Sequence, residues 1–235
     1  LVLSKPHLRQ APTVSGNAKT HTPMKQVLYY ILFGLSSLTY NSSFGQSPEL
    51  SAYQSYFDST LSGWTKTFTR FNLSTFQKEK IDSFENIEYM DITDVKDFYS
   101  IYKPALTFSP NQNQFIDIYS YWLNLDKEGK NIVSYGGEPD QAITLCNFKT
   151  KKWTRIAFRG TTERIQEVIW LTNSKFILVG AREDEIVFGK YRPVIYIGDT
   201  ITKTLKSFVS KDSKLFQKSG GYDSPKLLKL KIVQK

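Results

Sequence analysis

The chain has 235 residues, a formal net charge of +9, and 40% hydrophobic and 14% aromatic residues, enough to build one domain around a sizeable core. Its single cysteine, Cys146, excludes an internal disulfide and thiolate zinc sites. The positive charge bears on solubility and loose association with polyanions rather than on fold.

Residues 1–23 are polar, with Pro6, Pro12, Gly16 and Pro23 and no apolar period, and read as a disordered upstream extension. Met24-Lys25, the apolar run Val27 to Leu38 and the small residues Ser43 and Gly45 form the pattern of a secretory signal peptide over 24–45, cut between Gly45 and Gln46. A membrane span needs about 20 apolar residues, more than this run supplies, and no cysteine near the cut suggests a lipidated terminus. The expectation is a secreted or periplasmic protein without a transmembrane span, whose mature part, 46–235, is a single mostly β domain. Those 190 residues carry an excess of five positive charges, much of it in the Lys-rich stretch after Lys211. His7 and His21 both precede the cut, so the mature chain is expected to lack Ser-His-Asp and Cys-His catalysis and His-ligated metals. No basic helix or RNA-binding aromatic signature points to nucleic acid.

The mature chain opens on a helical pattern. Ser47 caps it, Pro48 and Glu49 suit its first turn, and Leu50, Tyr53, Phe57 and Leu61 share one face before Ser62-Gly63 ends it. Trp64 to Phe71 alternates as a strand. Ser74 to Phe84 is open between strand and a short helix with a Ser74/Gln77 capping box, and Ile87 to Ile92 reads as strand. Phe115 to Leu125 is a long β-like run ended by a turn at Asp126 to Gly129, followed by a strand at Ile132 to Tyr135 and a turn at Gly136 to Asp140. Gly136-Gly137 lacks the Lys-Ser/Thr of a phosphate loop. Cys146 alternates with Thr144 and Phe148 and is expected to be a small packed residue. Arg182 to Glu185 and Gly189 to Pro193 bracket Ile186 to Phe188, read as a strand within a hairpin insertion. Leu228 to Ile232 reads as a closing strand with one apolar and one basic face.

One pattern occurs twice. Ala142 to Ile156 and Val194 to Phe208 match at an offset of 52 residues, with Leu145 against Ile197, Asn147 against Asp199, Trp153 against Leu205 and Ile156 against Phe208. Upstream, Leu106 to Asn111 with Phe115 to Ile118 matches Ile169 to Asn173 with Phe176 to Gly180, at a larger offset. The Val168 to Trp170, Phe176 to Gly180 and Val194 to Asp199 stretches, with Phe108-Ser-Pro-Asn111, resemble blades of WD-repeat and related β-propeller proteins, of the secreted bacterial type, over about residues 106–209. That resemblance implies a propeller-like or meander β-repeat domain, mainly β, with a short N-terminal helix. A β-sandwich is the alternative, since 190 residues hold about four blades and only two are legible.

The chemistry left is that of carboxylates and aromatics. Glu138 and Asp140 share one turn, and Glu183, Asp184 and Glu185 another, so Glu138, Asp140 and Asp184 are the candidates for paired-acid glycoside hydrolysis. Tyr119, Tyr121, Trp122 and Tyr135 are candidates to stack on sugar rings. Consecutive acids do not make a calcium loop, and no metal or cofactor is expected. Three readings follow: a non-catalytic exported β-repeat protein that binds a protein or glycan through its loops, a carboxylate-dependent carbohydrate-active enzyme, and an envelope-associated structural protein.

Overall fold

The computed structural model describes residues 48–91 and 96–234. The expected extension at 1–23 and the expected signal peptide at 24–45 lie outside the described residues. In chain order the strands are β1 (Phe76–Ser83), β2 (Ile87–Asp91), β3 (Thr107–Phe108), β4 (Gln114–Asp117), β5 (Leu125–Glu128), β6 (Asn131–Ser134), β7 (Gln141–Asn147), β8 (Lys152–Arg159), β9 (Glu163–Trp170), β10 (Lys175–Glu183), β11 (Tyr191–Asp199), β12 (Thr204–Ser210) and β13 (Val233–Gln234). They form two five-stranded antiparallel sheets, ordered β1-β12-β11-β10-β9 and β2-β8-β7-β4-β3, and a small sheet β13-β6-β5. The protein is thus mainly β and antiparallel. Among the described residues no sheet closes into a barrel, and the arrangement is consistent with a β-sandwich-like fold.

Each large sheet is a four-strand meander with a fifth strand from earlier in the chain on its outer side, so the sequence repeat has a structural counterpart. Asn147 and Asp199 end equivalent strands, and each accepts hydrogen bonds on Oδ1 from the backbone amides two and three residues on. In both hairpins a lysine then takes a positive φ, 53° at Lys151 and 54° at Lys203. Asn and Asp favour such turns because a short polar side chain imitates a backbone acceptor. Phe115 pairs with Cys146 in one sheet, and Phe176 with Gly198 in the other. A Cβ on Gly198 would lie 2.1 Å from the Phe176 ring, so the ring needs a small partner. Cys146 is the small partner in the other copy. It is fully buried, and burial pushes its thiol up to about 12. The first copy is longer between its second and third strands because the hairpin β5–β6 is inserted there.

Two cores flank the β9–β12 sheet. Phe176, Leu178, Val194, Tyr196 and Leu205 join residues of the other large sheet, including Ile116, Ile143 and Ile156, in one core. Ile177, Val179, Ile195, Ile197 and Phe208, alternating with them, face a second core built with Leu50, Phe57, Leu61, Trp64, Phe68 and Leu73. Successive strand residues point to opposite faces, so the unbroken apolar runs in β10 and β11 mark a sheet buried on both sides. The other large sheet is covered by the helix Lys96–Tyr102, where Phe98 meets Trp153 edge-on at 4.5 Å and Tyr99 meets Phe115 at 5.9 Å.

Several expectations are corrected. The N-terminal helix is three short helices, Pro48–Ser51, Gln54–Asp58 and Ser62–Thr65, the last passing through Gly63. Trp64 to Phe71 is not a strand. The 64, 68, 71 spacing also suits a helical turn, and turning brings all three rings together with Phe57, whereas a strand would send Phe71 to the opposite face. Between Ser74 and Phe84 the strand β1 prevails over a helix, and the cap of the preceding short turn is Asn72, not Ser74. The long run from Phe115 stops at Asp117. Its buried carboxylate accepts from the amides of Tyr119, at 2.8 Å, and Ser120, at 3.1 Å, and from the Ser120 hydroxyl, turning the chain. Burial raises the Asp117 pKa, and these hydrogen bonds oppose the rise. The closing strand at Leu228 to Ile232 is replaced by the helix Pro225–Leu228 and by β13, which runs parallel to β6. Pro225 follows the Ser224 N-cap, a strong helix start that the alternation concealed.

Because Ile177 and Leu178 point to opposite faces and are both fully buried, Ile177→Ala and Leu178→Ala are each expected to lower the unfolding free energy by about 3 kcal/mol. Urea titration of both variants checks this. A large loss at one and almost none at the other would contradict a sheet buried on both faces.

Candidate functional site

The loop joining β10 to β11 is the first distinctive surface. The expected strand at Ile186 to Phe188 is absent, because the carboxylates before it bind the loop's own backbone. Asp184 Oδ1 accepts from the amides of Ile186 at 2.9 Å and Val187 at 2.8 Å, and Glu183 Oε1 accepts from Gly189 at 2.9 Å. The Asp184 amide donates to Lys190 O at 2.7 Å, and Gly189 takes a φ of 73°. The Val187 and Ile186 amides hold the Asp184 carboxyl below its ordinary range, and Arg192 stands 3.6 Å away. Arg192 in turn donates to the carbonyls of Ser210 and Asp212, tying the loop to the sheet. The loop is therefore shaped from within, and it presents Ile186 at 92% exposure and Phe188 at 93%.

Beside it lies a cleft of about 240 Å³ lined by Glu79, Arg182, Glu183, Asp184, Glu185 and Arg192, among others. Glu79 and Arg182 of this lining belong to a polar cluster that joins four strands. Arg182 Nε donates to Glu163 Oε2 at 2.6 Å and Nη1 to Glu79 Oε1 at 2.9 Å, while Tyr196 donates its hydroxyl to Glu163 Oε1 at 2.6 Å. A register shift between Lys78 and Lys80 leaves Glu79 as an extra residue of β1, and such a bulge re-aims a side chain. Burial disfavours the charge on both Glu79 and Arg182. The Glu163 carboxylate and the bonds to Glu79 outweigh this at Arg182 and raise its pKa, and Arg182 and Ser207 outweigh it at Glu79 and lower its pKa. Glu79 is thereby kept as a carboxylate and is unsuited to general acid work.

A second cleft, of about 420 Å³, runs between β9 and the segment 222–232. Behind it Glu167, buried, accepts from Ser224 Oγ and Tyr222 OH at 3.1 Å each and pairs with Lys226, which also donates to Thr107 Oγ1 at 2.8 Å and Val168 O at 2.9 Å. This network fixes the C-terminal segment on the sheet.

The residues singled out from sequence are dispersed between these places. Asp184 lines the smaller cleft, while Glu138 and Asp140 line neither. Asp140 instead supports the charge of Arg164. Glu138 lies on a loop drawn over residue 122, its amide donating to Trp122 O at 3.0 Å. The turn needs its glycines for that approach, since a Cβ on Gly137 would lie 1.8 Å from the same carbonyl. Tyr119 is buried at the larger cleft, and its hydroxyl donates to Ser224 Oγ at 2.8 Å. Trp122 lines that cleft with the Arg164 guanidinium 4.5 Å above its ring. Tyr121 is exposed and meets Phe158 edge-on, and Tyr135 is exposed with its hydroxyl donating to Glu128. The four aromatics do not form one stacking platform. Glu163, Arg164 and Glu167 escaped the sequence reading because they occupy one strand, β9, whose alternation looks half-exposed, and Arg182 figured there only as the edge of the hairpin insertion.

Among the described residues no group of three His, Cys, Asp or Glu side chains is placed to hold a metal, and no helix is long and apolar enough to cross a membrane. Lys226→Met leaves the buried Glu167 without its cation and is expected to cost about 3 kcal/mol, whereas Lys226→Met combined with Glu167→Met recovers part of the loss. Thermal and urea unfolding of the single and double variants measures the coupling. Compared with family models, with curated proteins and with solved structures, the chain matches none.

Proposed function

We propose that this is an exported, non-catalytic β-repeat protein that binds a protein partner through the β10–β11 loop. The observation that carries the reading is the exposure of Ile186 and Phe188, both above 90%, on a loop already held in shape by Glu183 and Asp184. Large apolar side chains clustered on a surface contribute nothing to the core, and grouped exposure marks interaction sites. Preorganisation lowers the entropy lost on binding. Burying each of these side chains in a partner's pocket supplies about 2 kcal/mol, and the polar rim of Glu185, Lys190 and the adjacent cleft suits a protein interface. An aliphatic and an aromatic tip side by side favour a protein's apolar pocket over a sugar ring. The duplicated meander supports the β-repeat part of the reading, and the residue pattern at 24–45 supports export.

A photo-crosslinking residue at position 186 or 188 is expected to give a covalent adduct of discrete mass in the native host, whereas the same residue at Ile201, 78% exposed on another turn, gives none. With the captured partner purified, Phe188→Ser is expected to weaken binding about thirtyfold or more while leaving stability within about 0.5 kcal/mol. Equal adducts at 186 and 201, or unchanged affinity in Phe188→Ser, would end the proposal. Export is tested separately by intact mass and N-terminal sequencing of protein from outside the cytoplasm, which are expected to give a chain starting at Gln46. A chain retained inside with its N-terminal segment intact would refute export.

A further inference from the structure

The larger cleft points to a second, independent site. We propose that it binds an amphiphilic organic anion, a carboxylate or sulfonate head on an apolar body. Its volume of about 420 Å³ falls within the range of small-molecule sites. Ile165, Leu227, Leu228 and Ile232 supply apolar wall, and Leu228 remains 65% exposed at the rim. Against this wall stand two cations, Arg164 and Lys231, neither of which forms an ion pair within 4 Å among the described residues, Asp140 supporting Arg164 only at longer range, and one exposed acid, Asp223.

Arg164 carries the argument. Its guanidinium is partly buried, lies over Trp122, and donates from Nη2 to Pro139 O at 2.9 Å. Nη1 and the neighbouring Trp122 Nε1 are both covered and have no acceptor among the described residues. Buried donors in native proteins nearly always have a partner, and burial lowers the Arg164 pKa despite the opposing charge of Asp140. An anionic head set beside the guanidinium at the cleft wall complements the charge of Arg164 and Lys231, while its apolar body covers Leu228 and Ile232. The ring face of Trp122 beneath Arg164 is already occupied, which disfavours a stacked sugar. No residue of this site belongs to the β10–β11 loop, so the two proposals stand or fall separately.

The test is a titration of the whole protein with 1-anilinonaphthalene-8-sulfonate and with its uncharged counterpart N-phenyl-1-naphthylamine, followed by probe fluorescence. The sulfonate is expected to bind saturably at one site and about tenfold or more tighter than the neutral probe. Arg164→Gln and Lys231→Glu are each expected to weaken the sulfonate about tenfold and leave the neutral probe unchanged, whereas Leu228→Asp weakens both. Near-ultraviolet circular dichroism checks that Arg164→Gln retains its packing, and the exposed Lys231 and Leu228 positions give a reading if it does not. Equal affinity for the two probes, or sulfonate binding unchanged in Arg164→Gln with packing intact and in Lys231→Glu, would overturn anion recognition. No saturable binding of either probe would overturn the site itself.

Discussion

The structure depends on burying both faces of the β9–β12 sheet. Phe176 and Leu178 feed one core and Ile177 and Val179 the other, so the two cores share one set of strands. That sharing dictates the layers: the second large sheet must cover one face, and the short helices at 48–65 must cover the other. It also explains why those helices are broken. Leu50, Phe57, Leu61 and Trp64 all reach the sheet, and a single straight helix presents only one stripe to a twisted surface.

Charged groups inside this framework act as tethers between distant segments. Arg182 joins β10 to β9 through Glu163 and to β1 through Glu79, and Glu167 joins β9 to the C-terminal segment through Lys226, Ser224 and Tyr222. A buried ion pair contributes little net stability, yet breaking it is expensive. Its effect is therefore to fix where a segment lies. Both clefts sit beside such tethers, which gives them rigid floors on strands and walls made from loops or the C-terminal segment.

The two surfaces differ in kind. The β10–β11 loop is a convex apolar tip whose own carboxylates have been spent on its backbone, a form suited to insertion into another molecule. The cleft at Arg164 is concave, with Arg164 and Lys231 standing on an apolar wall, a form suited to receiving one. Most of the carboxylates that first suggested hydrolysis have a structural use: Glu183 and Asp184 cap the loop and Asp140 supports the charge of Arg164, while Glu138 takes part through its backbone amide on the turn drawn against Trp122.

The sequence alone determined what depends on neighbours in the chain. Alternation and apolar runs located β7, β8 and β10 to β12, and Asn147 and Asp199 at a constant offset revealed the duplicated hairpins, because a strand's period and an Asx turn are local properties. Where two periods fit the same residues, as at Trp64, Phe68 and Phe71, local pattern was not enough. Burial of Tyr119, pairing of Glu167 with Lys226, and the meeting of Trp122 with Arg164 arise between segments far apart in sequence. Only the tertiary structure decided these, because whether a polar side chain is solvated, paired or left without an acceptor depends on which distant strand or loop is packed against it.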